Sequence, residues 1–286
     1  MRAKATRLIL HAAAQVRTGP MRAVPIPCRL PHGGWFLTYG DEIGLTVLSQ
    51  AVGLGSFEAA EYRFVAQFVK PGMTCLDIGA NQGIYTILLC RRAGSSGRVV
   101  AFEPIPFLTK RLHNNLMINR CPSYTIEQIA VGREEAMSEF HIALDGRESY
   151  SALGPSSDDR STTLVVPVTT LDKYLEREYL KRVDFIKIDA EGAELHILEG
   201  GKHLLEEMRP TLLCEIADVR TRSFGYAAEM IYSFLEQRSY RWFEVDQRGL
   251  LRPSPKRESY EPDWANLVAV PEEKLADVSA LRSPAP

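Results

Sequence analysis

A glycine-rich turn between an apolar stretch and an amphipathic stretch carries the clearest chemical signal in this chain. The turn reads Asp77-Ile-Gly-Ala-Asn-Gln-Gly83. A strand that breaks at such a turn and continues as a helix is the usual ligand-binding corner of an open α/β sheet. The spacing is Asp-x-Gly-x-x-x-Gly, not the Gly-x-Gly-x-x-Gly of dinucleotide sites, and a carboxylate at Asp77 would repel a pyrophosphate but attract an ammonium group. The turn therefore predicts a cofactor with a cationic amino-acid portion, such as S-adenosylmethionine.

The two glycines of this turn, Gly79 and Gly83, predict a backbone that bends tightly and comes close to a ligand. A helix that starts at Gly83 should also offer free N–H groups to a negatively charged group.

Carboxylates end four of the five strands that the apolar runs predict for the main sheet. They are Asp77, Glu103, Asp189 and Glu215, and Glu191 follows closely after Asp189. Ligands of open parallel sheets bind at the carboxyl ends of the strands, so these side chains should border one crevice. Their mutual repulsion must be offset by a cation, a metal or N–H donors. Glu103 also follows the turn at about the distance at which an acidic residue accepts hydrogen bonds from ribose hydroxyls.

Lys187 is unusual because it lies within an otherwise apolar strand, Phe185-Ile-Lys-Ile188. The two-residue period of a strand puts it on the same face as Asp189. A buried lysine needs a carboxylate partner, and both Asp189 and Glu215 are candidates. Lys187 could form a purely structural ion pair, or it could lower the pKa of a substrate hydroxyl.

Predicted strands and helices alternate regularly after Pro71, among them a strand over Tyr124–Val131 and a helix over Glu194–Glu207. This alternation indicates a mostly parallel sheet with helices on both faces. The predicted organisation is an N-terminal arm, hairpin and helix over 1–70, a main domain over 71–272 and a C-terminal tail over 273–286. Gly146 to Thr163 is polar and predicts a long loop, either a lid over the site or a solvated surface loop.

Two predictions concern the segment before the main domain. Alternating apolar residues from Gly33 to Val47 predict a β-hairpin that turns at Gly40-Asp41. Ser56 is predicted to cap a helix that runs to Val69. The arm before them is rich in arginine and lacks acidic residues, which fits a transit peptide, a surface-binding arm or, as we favour, a short amphipathic helix with an extended connection.

The bulk composition excludes several classes of protein. The chain has 286 residues, a formal net charge of −2, and no apolar run that approaches the roughly 18 residues needed to cross a bilayer. Neither a nucleic-acid partner nor a transmembrane segment is expected. Its five cysteines are odd in number and show no metal-ligand spacing, which predicts reduced thiols in a cytoplasmic protein.

Several strings of residues resemble the FkbM family of S-adenosylmethionine-dependent methyltransferases. They are Asp77-Ile-Gly-Ala-Asn-Gln-Gly-Ile-Tyr-Thr, Ala101-Phe-Glu-Pro, Thr170-Leu-Asp and Phe185-Ile-Lys-Ile-Asp-Ala-Glu-Gly-Ala-Glu, with Gly55-Ser-Phe-Glu58 and Asn266-Leu-Val-Ala in addition. The resemblance covers roughly Gly33 to Val270. It implies the α/β, Rossmann-like class I methyltransferase fold, with a mostly parallel seven-stranded sheet, an antiparallel late strand and an N-terminal extension. It also implies O-methylation of a small molecule, such as a sugar, a polyketide or another secondary metabolite.

The resemblance also implies roles for individual residues in binding S-adenosylmethionine. Its methionine end would be held by Asp77, Gly79, Asn81 and Gly83. Glu103 would hold the ribose, and the backbone near Ala130 would contact the adenine. Of the two residues that follow the turn, Thr86 is the predicted cofactor contact and Tyr85 the predicted core residue.

Methylation of a hydroxyl requires removal of its proton, by a base or with the help of a metal that lowers the hydroxyl pKa. The predicted base is Asp189, with Glu191 as the second candidate and Lys187 in support. A divalent cation held by Asp189, Glu191 and Glu215 is the alternative. Two other functions stay open: a methyltransferase-like protein that binds the cofactor without catalysis, and a nicotinamide-dependent oxidoreductase, which the missing dinucleotide motif disfavours.

Overall fold

The computed structural model describes residues 25–51, 58–143, 152–153, 161–261 and 265–283. In chain order the strands are β1 (Ile26–Arg29), β2 (Trp35–Thr38), β3 (Thr74–Ile78), β4 (Arg98–Phe102), β5 (Tyr124–Glu127), β6 (Ala130–Val131), β7 (Ala136–Ala143), β8 (Ala152–Leu153), β9 (Ser161–Thr169), β10 (Phe185–Ile188), β11 (Thr211–Ile216), β12 (Tyr240–Val245), β13 (Leu251–Pro253) and β14 (Ala265–Pro271). The α-helices are α1 (Glu42–Ala51), α2 (Ala59–Phe68), α3 (Ile84–Ala93), α4 (Pro106–Ile118), α5 (Leu171–Arg177), α6 (Glu194–Glu199), α7 (Asp218–Thr221) and α8 (Glu229–Glu236).

The central sheet has eight strands in the order β13-β12-β14-β11-β10-β3-β4-β5. Neighbours from β5 to β11 pair in parallel, whereas β14 pairs antiparallel with both β11 and β12. This order, with one antiparallel strand inserted near the end, is the predicted class I methyltransferase arrangement. The sheet has one strand more than predicted, because β13 adds antiparallel to the outer edge of β12.

Helices cover both faces of this sheet, and strand alternation decides which side chains meet which helices. Leu76 and Ile186 point into a core that includes side chains of α5, α6 and α8. Cys75 and Phe185 point to the opposite face, toward α2, α3 and α4. Each fully buried side chain of Leu or Phe size contributes on the order of 1.5–3 kcal/mol. Lys187 shares the second face, so it projects toward α2 and α3.

The predicted hairpin around Gly40-Asp41 is wrong. The hairpin joins β1 and β2, with Ile26 opposite Thr38, so its turn lies earlier in the chain. Asp41 instead starts α1, because its Oδ1 accepts the backbone N–H of Gly44 at 2.7 Å. Such side-chain caps favour a helix start over a turn between strands. The predicted cap Ser56 lies outside the described residues, and α2 begins at Ala59.

A second sheet of four strands, in the order β6-β9-β7-β8, was not expected as a separate unit. The single strand predicted over Tyr124–Val131 splits into β5 of the central sheet and β6 of this one. The sequence pattern of this segment does not show that its first half pairs in one sheet and its second half in another. The predicted loop Gly146 to Thr163 contains β8, which pairs with β7, and the first residues of β9. The rest of that loop lies outside the described residues.

The helix predicted over Glu194–Glu207 is also interrupted. The described chain forms α6 and then a π-helical turn, Leu204–Met208, on either side of Gly200. A Cβ on Gly200 would lie 2.1 Å from the carbonyl oxygen of Gly132, so close backbone packing requires glycine here. Within the parts that the structure describes, no helix is long and apolar enough to cross a lipid bilayer.

Candidate active site

A cavity of about 510 Å³ opens at the carboxyl ends of β3, β4, β10 and β11. This volume lies in the range of about 300–1,000 Å³ that is typical of small-molecule sites. Most of the residues predicted for the site line it: Asp77, Gly79, Asn81, Glu103, Ala130, Lys187, Asp189, Glu191 and Glu215. Gly83 and Thr86 lie behind this wall. The sheet therefore brings together side chains that are up to 138 positions apart.

Asp77 lies at the bottom of the cavity and is fully buried. Its Oδ2 accepts a hydrogen bond from the Thr86 hydroxyl at 2.5 Å, whereas its Oδ1 has no hydrogen-bond donor in the described part of the chain. Burial raises the pKa of Asp77, and the nearby Lys187 ammonium acts in the opposite direction. A buried carboxylate oxygen without a donor is costly, so this position suits a ligand that brings an N–H donor. Thr86, the predicted cofactor contact, does not line the cavity and instead orients Asp77.

Gly79 and Gly83 serve the protein's own packing. A Cβ on Gly79, which has a φ of 77°, would lie 1.8 Å from the carbonyl oxygen of Asp189. The close approach that requires glycine at this position is therefore to the backbone that directly follows β10. Gly79 also lines the cavity, and its predicted contact with a cofactor stays a prediction. The Gly83 N–H donates to the carbonyl of Ala80 at 2.8 Å, so Gly83 itself offers no free N–H. The free N–H groups expected in the first turn of α3 stay a prediction.

Glu103 lies beside the turn and is almost completely buried. Its two oxygens accept the backbone N–H groups of Asn81, at 2.8 Å, and Ile105, at 3.0 Å. Burial raises the pKa of Glu103 to about 7, and these two hydrogen bonds oppose the rise. Each oxygen keeps a second lone pair, which is the requirement for accepting ribose hydroxyls.

Lys187 pairs with Asp189, which resolves the choice between Asp189 and Glu215. The Lys187 Nζ donates to Asp189 Oδ2 at 2.8 Å and lies 5.0 Å from the centre of the Tyr85 ring. Burial by itself lowers the pKa of Lys187, but Asp189 and the other nearby carboxylates raise it above its ordinary value. The lysine is therefore a permanent cation between the glycine-rich turn Asp77–Gly83, the cofactor turn, and the end of β10.

Glu191 and Glu215 border the same end of the cavity. Glu191 adopts a left-handed backbone conformation, with a φ of 53°, and its Oε2 lies 3.0 Å from Arg220 Nε. Burial raises the pKa of Glu191 to about 8 and that of Glu215 well above its usual range. Among the residues with described positions, no three His, Cys, Asp or Glu side chains converge to hold a metal ion. The proposed cation site is not supported, because Asp189 and Glu191 each turn toward a basic side chain.

The sequence interpretation missed several residues that line the cavity. Tyr85 is a buried core residue, as predicted, but it also lines the cavity, and its hydroxyl donates to Glu58 Oε2 at 2.7 Å. Glu58 was noted only as part of a matching string before the first strand. Ile43 and Thr46 on α1 also contribute, although no motif marked them.

Asp41 connects this early segment to the cofactor turn. Its carboxylate accepts from Gln82 Nε2 at 2.7 Å and forms an ion pair with Arg111. The amide of Asn115 donates to the Gln82 carbonyl at 2.8 Å and accepts from the N–H of Leu37 at 2.7 Å. The turn is therefore held from outside by the hairpin, α1 and α4.

Comparison with known proteins decides the family. A family model described as the methyltransferase FkbM domain matches residues 77–242, which is more than half of the chain. The chain belongs to the FkbM methyltransferase family. Methyltransferases of this family use S-adenosylmethionine, and the buried Asp77 oxygen without a donor fits its ammonium group.

Two curated sequences resemble this chain over part of their length. Methyltransferase 1 from Beauveria bassiana (strain ARSEF 2860) is 28% identical over 142 residues, which is 44% of this chain and 57% of that protein. The AMB antimetabolite synthetase AmbE from Pseudomonas aeruginosa is 24% identical over 240 residues, which is 70% of this chain and 11% of that protein. The chain thus spans 57% and 11% of the lengths of these relatives.

Two solved structures are also similar. Methyltransferase FkbM from Methylobacillus flagellatus KT is 18% identical, with a TM-score of 0.44, 79% of this chain covered and 54% of that chain covered. The methyltransferase SMU.1697c from Streptococcus mutans, solved with SAH, is 8% identical, with a TM-score of 0.44, 76% of this chain covered and 97% of that chain covered.

Proposed function

We propose that this FkbM-family protein transfers the methyl group of S-adenosylmethionine to a hydroxyl of a small molecule, such as a sugar, a polyketide or another secondary metabolite. One observation carries the proposal. A single cavity joins the donor-free Asp77 oxygen to the paired Lys187 and Asp189 side chains. A cofactor and an acceptor could therefore meet in one space, and alignment of two reactants accounts for much of the rate of such transfers.

The cofactor would occupy the side of the cavity formed by β3 and β4. Asp77 would accept the ammonium group, the backbone of Gly79 and Asn81 would border the methionine portion, and Glu103 would accept the ribose hydroxyls. Ala130 on β6 would border the adenine. When bound, S-adenosylmethionine supplies a methyl group on a positively charged sulfur. Thr86 and Gly83 would act indirectly, by orienting Asp77 and by starting α3.

The acceptor would occupy the side formed by the ends of β10 and β11. Asp189, Glu191 and Glu215 offer oxygen acceptors there, and Lys187 holds Asp189 in place. Carboxylates suit a hydroxylated acceptor because they accept hydrogen bonds from hydroxyls and can take up a proton. We also propose a cytoplasmic location, since Cys28, Cys75, Cys90, Cys121 and Cys214 are all free thiols.

The first experiment measures which cofactor the protein binds. We expect S-adenosylmethionine and S-adenosylhomocysteine to raise the thermal unfolding temperature and NAD to leave it unchanged. The variant Asp77→Ala should lose this response, whereas Val219→Ala, on the exposed rim of the cavity, should keep it. Stabilisation by NAD alone would contradict the proposal.

The second experiment identifies the reaction. Candidate sugars, polyketides and other hydroxylated metabolites are incubated with methyl-labelled S-adenosylmethionine, and the position of the label is read by NMR and mass spectrometry. Label on oxygen supports the proposal, and label on nitrogen or carbon refutes it. Cofactor binding without transfer to any acceptor would favour the catalytically inactive alternative.

A further inference from the structure

We propose that Glu58, which directly precedes α2, is the base that accepts the proton of the acceptor hydroxyl. This inference rests on the O-methylation proposed above. Glu58 lies outside the residues that the family model matches, and it lines the same cavity as Asp77 and Asp189.

The position of the Glu58 carboxylate is fixed by a neutral donor. Its Oε2 accepts the Tyr85 hydroxyl at 2.7 Å, while Oε1 accepts no hydrogen bond within the described ranges. The backbone of Glu58 is left-handed, with a φ of 44°, a conformation that costs a residue with a side chain about 1–2 kcal/mol. Strained backbone of this kind is typical of functional positions. One carboxylate oxygen is thus held in place and the other is available.

Two other carboxylates at this end of the cavity, Asp189 and Glu191, are less suited to accept a proton because each is paired with a basic side chain. Protonation of Asp189 would neutralise its ion pair with Lys187, a lysine that is only 6% exposed. Removing one charge from a buried pair leaves the other uncompensated, which is strongly unfavourable. Protonation of Glu191 would likewise neutralise its ion pair with Arg220. Glu58 bonds to a phenol, so no direct ion pair is lost when it becomes protonated.

Charged or titratable groups on three elements face Glu58. They are Lys187 and Asp189 at the end of β10, Tyr85 on α3 and Glu61 on α2. Burial raises the pKa of Glu58 to about 7; Lys187 and the Tyr85 hydrogen bond oppose the rise, while Asp189 and Glu61 add to it. Burial also raises the pKa of Tyr85, so the phenol stays a donor. A base whose pKa lies near neutrality combines a substantial ionised fraction with useful basicity.

The proposed step balances in atoms and charge. The acceptor oxygen forms a bond to the methyl carbon while the carbon–sulfur bond breaks, and the electron pair of that bond stays on sulfur. The hydroxyl proton passes to Glu58, whose carboxylate becomes a neutral carboxylic acid. The products are a methyl ether and a neutral thioether, and Glu58 later releases its proton to water.

The test compares Glu58→Gln with Glu58→Asp, and uses Glu61→Gln as the matched control because Glu61 lies on the same side of α2 but does not line the cavity. For the wild-type protein, kcat should fall about tenfold per pH unit below a midpoint near 7. Glu58→Gln should lower kcat by roughly 10²–10⁴-fold and abolish this pH limb. Glu58→Asp should recover part of the activity, and Glu61→Gln should keep the limb. Calorimetry should show unchanged affinity of Glu58→Gln for S-adenosylhomocysteine.

Tyr85→Phe gives a second readout that a merely structural role would not change. The lost hydrogen bond lowers the pKa of Glu58 in the wild-type protein, so its removal should move the acid limb to higher pH. A uniform loss of kcat with an unmoved limb would contradict the assigned role of Tyr85.

Three results would overturn the inference. Glu58→Gln could keep full kcat and its pH limb while Asp189→Asn loses that limb, which would make Asp189 the base. Glu58→Gln could lose affinity for S-adenosylhomocysteine in parallel with kcat, which would make Glu58 a cofactor ligand. The third needs no acceptor: the Glu58 side-chain carboxyl, observed by ¹³C NMR in the complex with S-adenosylhomocysteine, could titrate near the ordinary value of about 4.3. A methyl group found on nitrogen or carbon would instead refute the proposed function itself.

Discussion

Replacement of Gly79 by alanine tests how tightly the cofactor turn packs on the end of β10. The new Cβ would lie 1.8 Å from the carbonyl oxygen of Asp189 and 2.9 Å from its carbonyl carbon. Both atoms belong to the backbone, so no side chain can rotate away. The turn and the strand would have to separate by more than 1 Å to reach ordinary contact, which begins near 3.4 Å. Separation would stretch the hydrogen bond from the Asp189 N–H to the carbonyl of Ile78, now 3.1 Å.

The expected loss of unfolding free energy is about 3–6 kcal/mol. An alanine in the left-handed region costs about 1–2 kcal/mol. Overpacking typically adds about 1–3 kcal/mol, and a weakened buried hydrogen bond adds about 1 kcal/mol. Gly225→Ala is the matched control, because Gly225 has a φ of 78° but no atom within 4 Å of an added Cβ. The control should lose only the backbone contribution of about 1–2 kcal/mol.

Urea denaturation of both variants measures this difference directly, and calorimetry with S-adenosylhomocysteine measures its effect on binding. We expect Gly79→Ala to bind much more weakly than Gly225→Ala, since displacement of the turn moves Asp77 and Asn81 away from the cavity wall. Equal destabilisation of the two variants would refute the close-packing explanation. Wild-type affinity in a destabilised Gly79→Ala protein would show that the turn does not position the ligand.

Three further predictions concern buried carboxylates. Asp41→Ala should lower the unfolding free energy by about 2–4 kcal/mol, because Arg111 loses its ion-pair partner. It should also weaken cofactor binding, because the glycine turn loses the support of Asp41. Urea denaturation measures the first effect and calorimetry the second, and no change in either would show that the contact is incidental. Thr86→Val should lower the unfolding free energy by about 1–3 kcal/mol and raise the pKa of Asp77 further, because Asp77 loses its hydrogen-bond donor. Since an ionised Asp77 binds the ammonium group, the cofactor affinity of this variant should recover as pH rises. An unchanged affinity at every pH would count against Asp77 as the ammonium acceptor. Burial raises the pKa of the Glu103 carboxyl from its ordinary value of 4.5 to about 7, so its stabilising contribution is full below pH 4.5 and is lost as pH rises through 7. From pH 5 to 8 the unfolding free energy of the wild-type protein should fall by about 2.5 kcal/mol more than that of Glu103→Gln, and parallel curves of stability against pH would contradict this.

The placement of the glycine turn and of the carboxylates around the cavity could be predicted from the sequence, because these signals are local or follow a topological rule. An apolar run followed by Asp77 and a glycine turn specifies a strand, a bend and a helix within about a dozen residues. Parallel strands then align their carboxyl ends, which brings Glu103 and Asp189 to the same edge. Strand alternation predicted that Lys187 shares a face with Asp189, but only the structure selected Asp189 over Glu215 as its partner.

Other features depend on contacts between distant segments, and local patterns mispredicted them. Apolar alternation before Val47 fitted a hairpin, but the cap at Asp41 and its bonds to Gln82 start a helix there. Tyr85 and Thr86 are both compatible with either the core or the cavity, and only the packing of α3 on the sheet decides between them.

The sequence by itself determined the family, the cofactor turn and the edge of the sheet at which the carboxylates gather, because strand period and parallel pairing are set by short-range geometry. Only the tertiary structure decided how those groups are used. It showed that Gly79 packs against the backbone of Asp189 and that the Asp189 carboxylate pairs with Lys187. It also showed that Glu58 lines the cavity beside Tyr85. The physical reason is that burial and the choice of hydrogen-bond partner, which set the charge and reactivity of a carboxylate, depend on segments far apart in the chain.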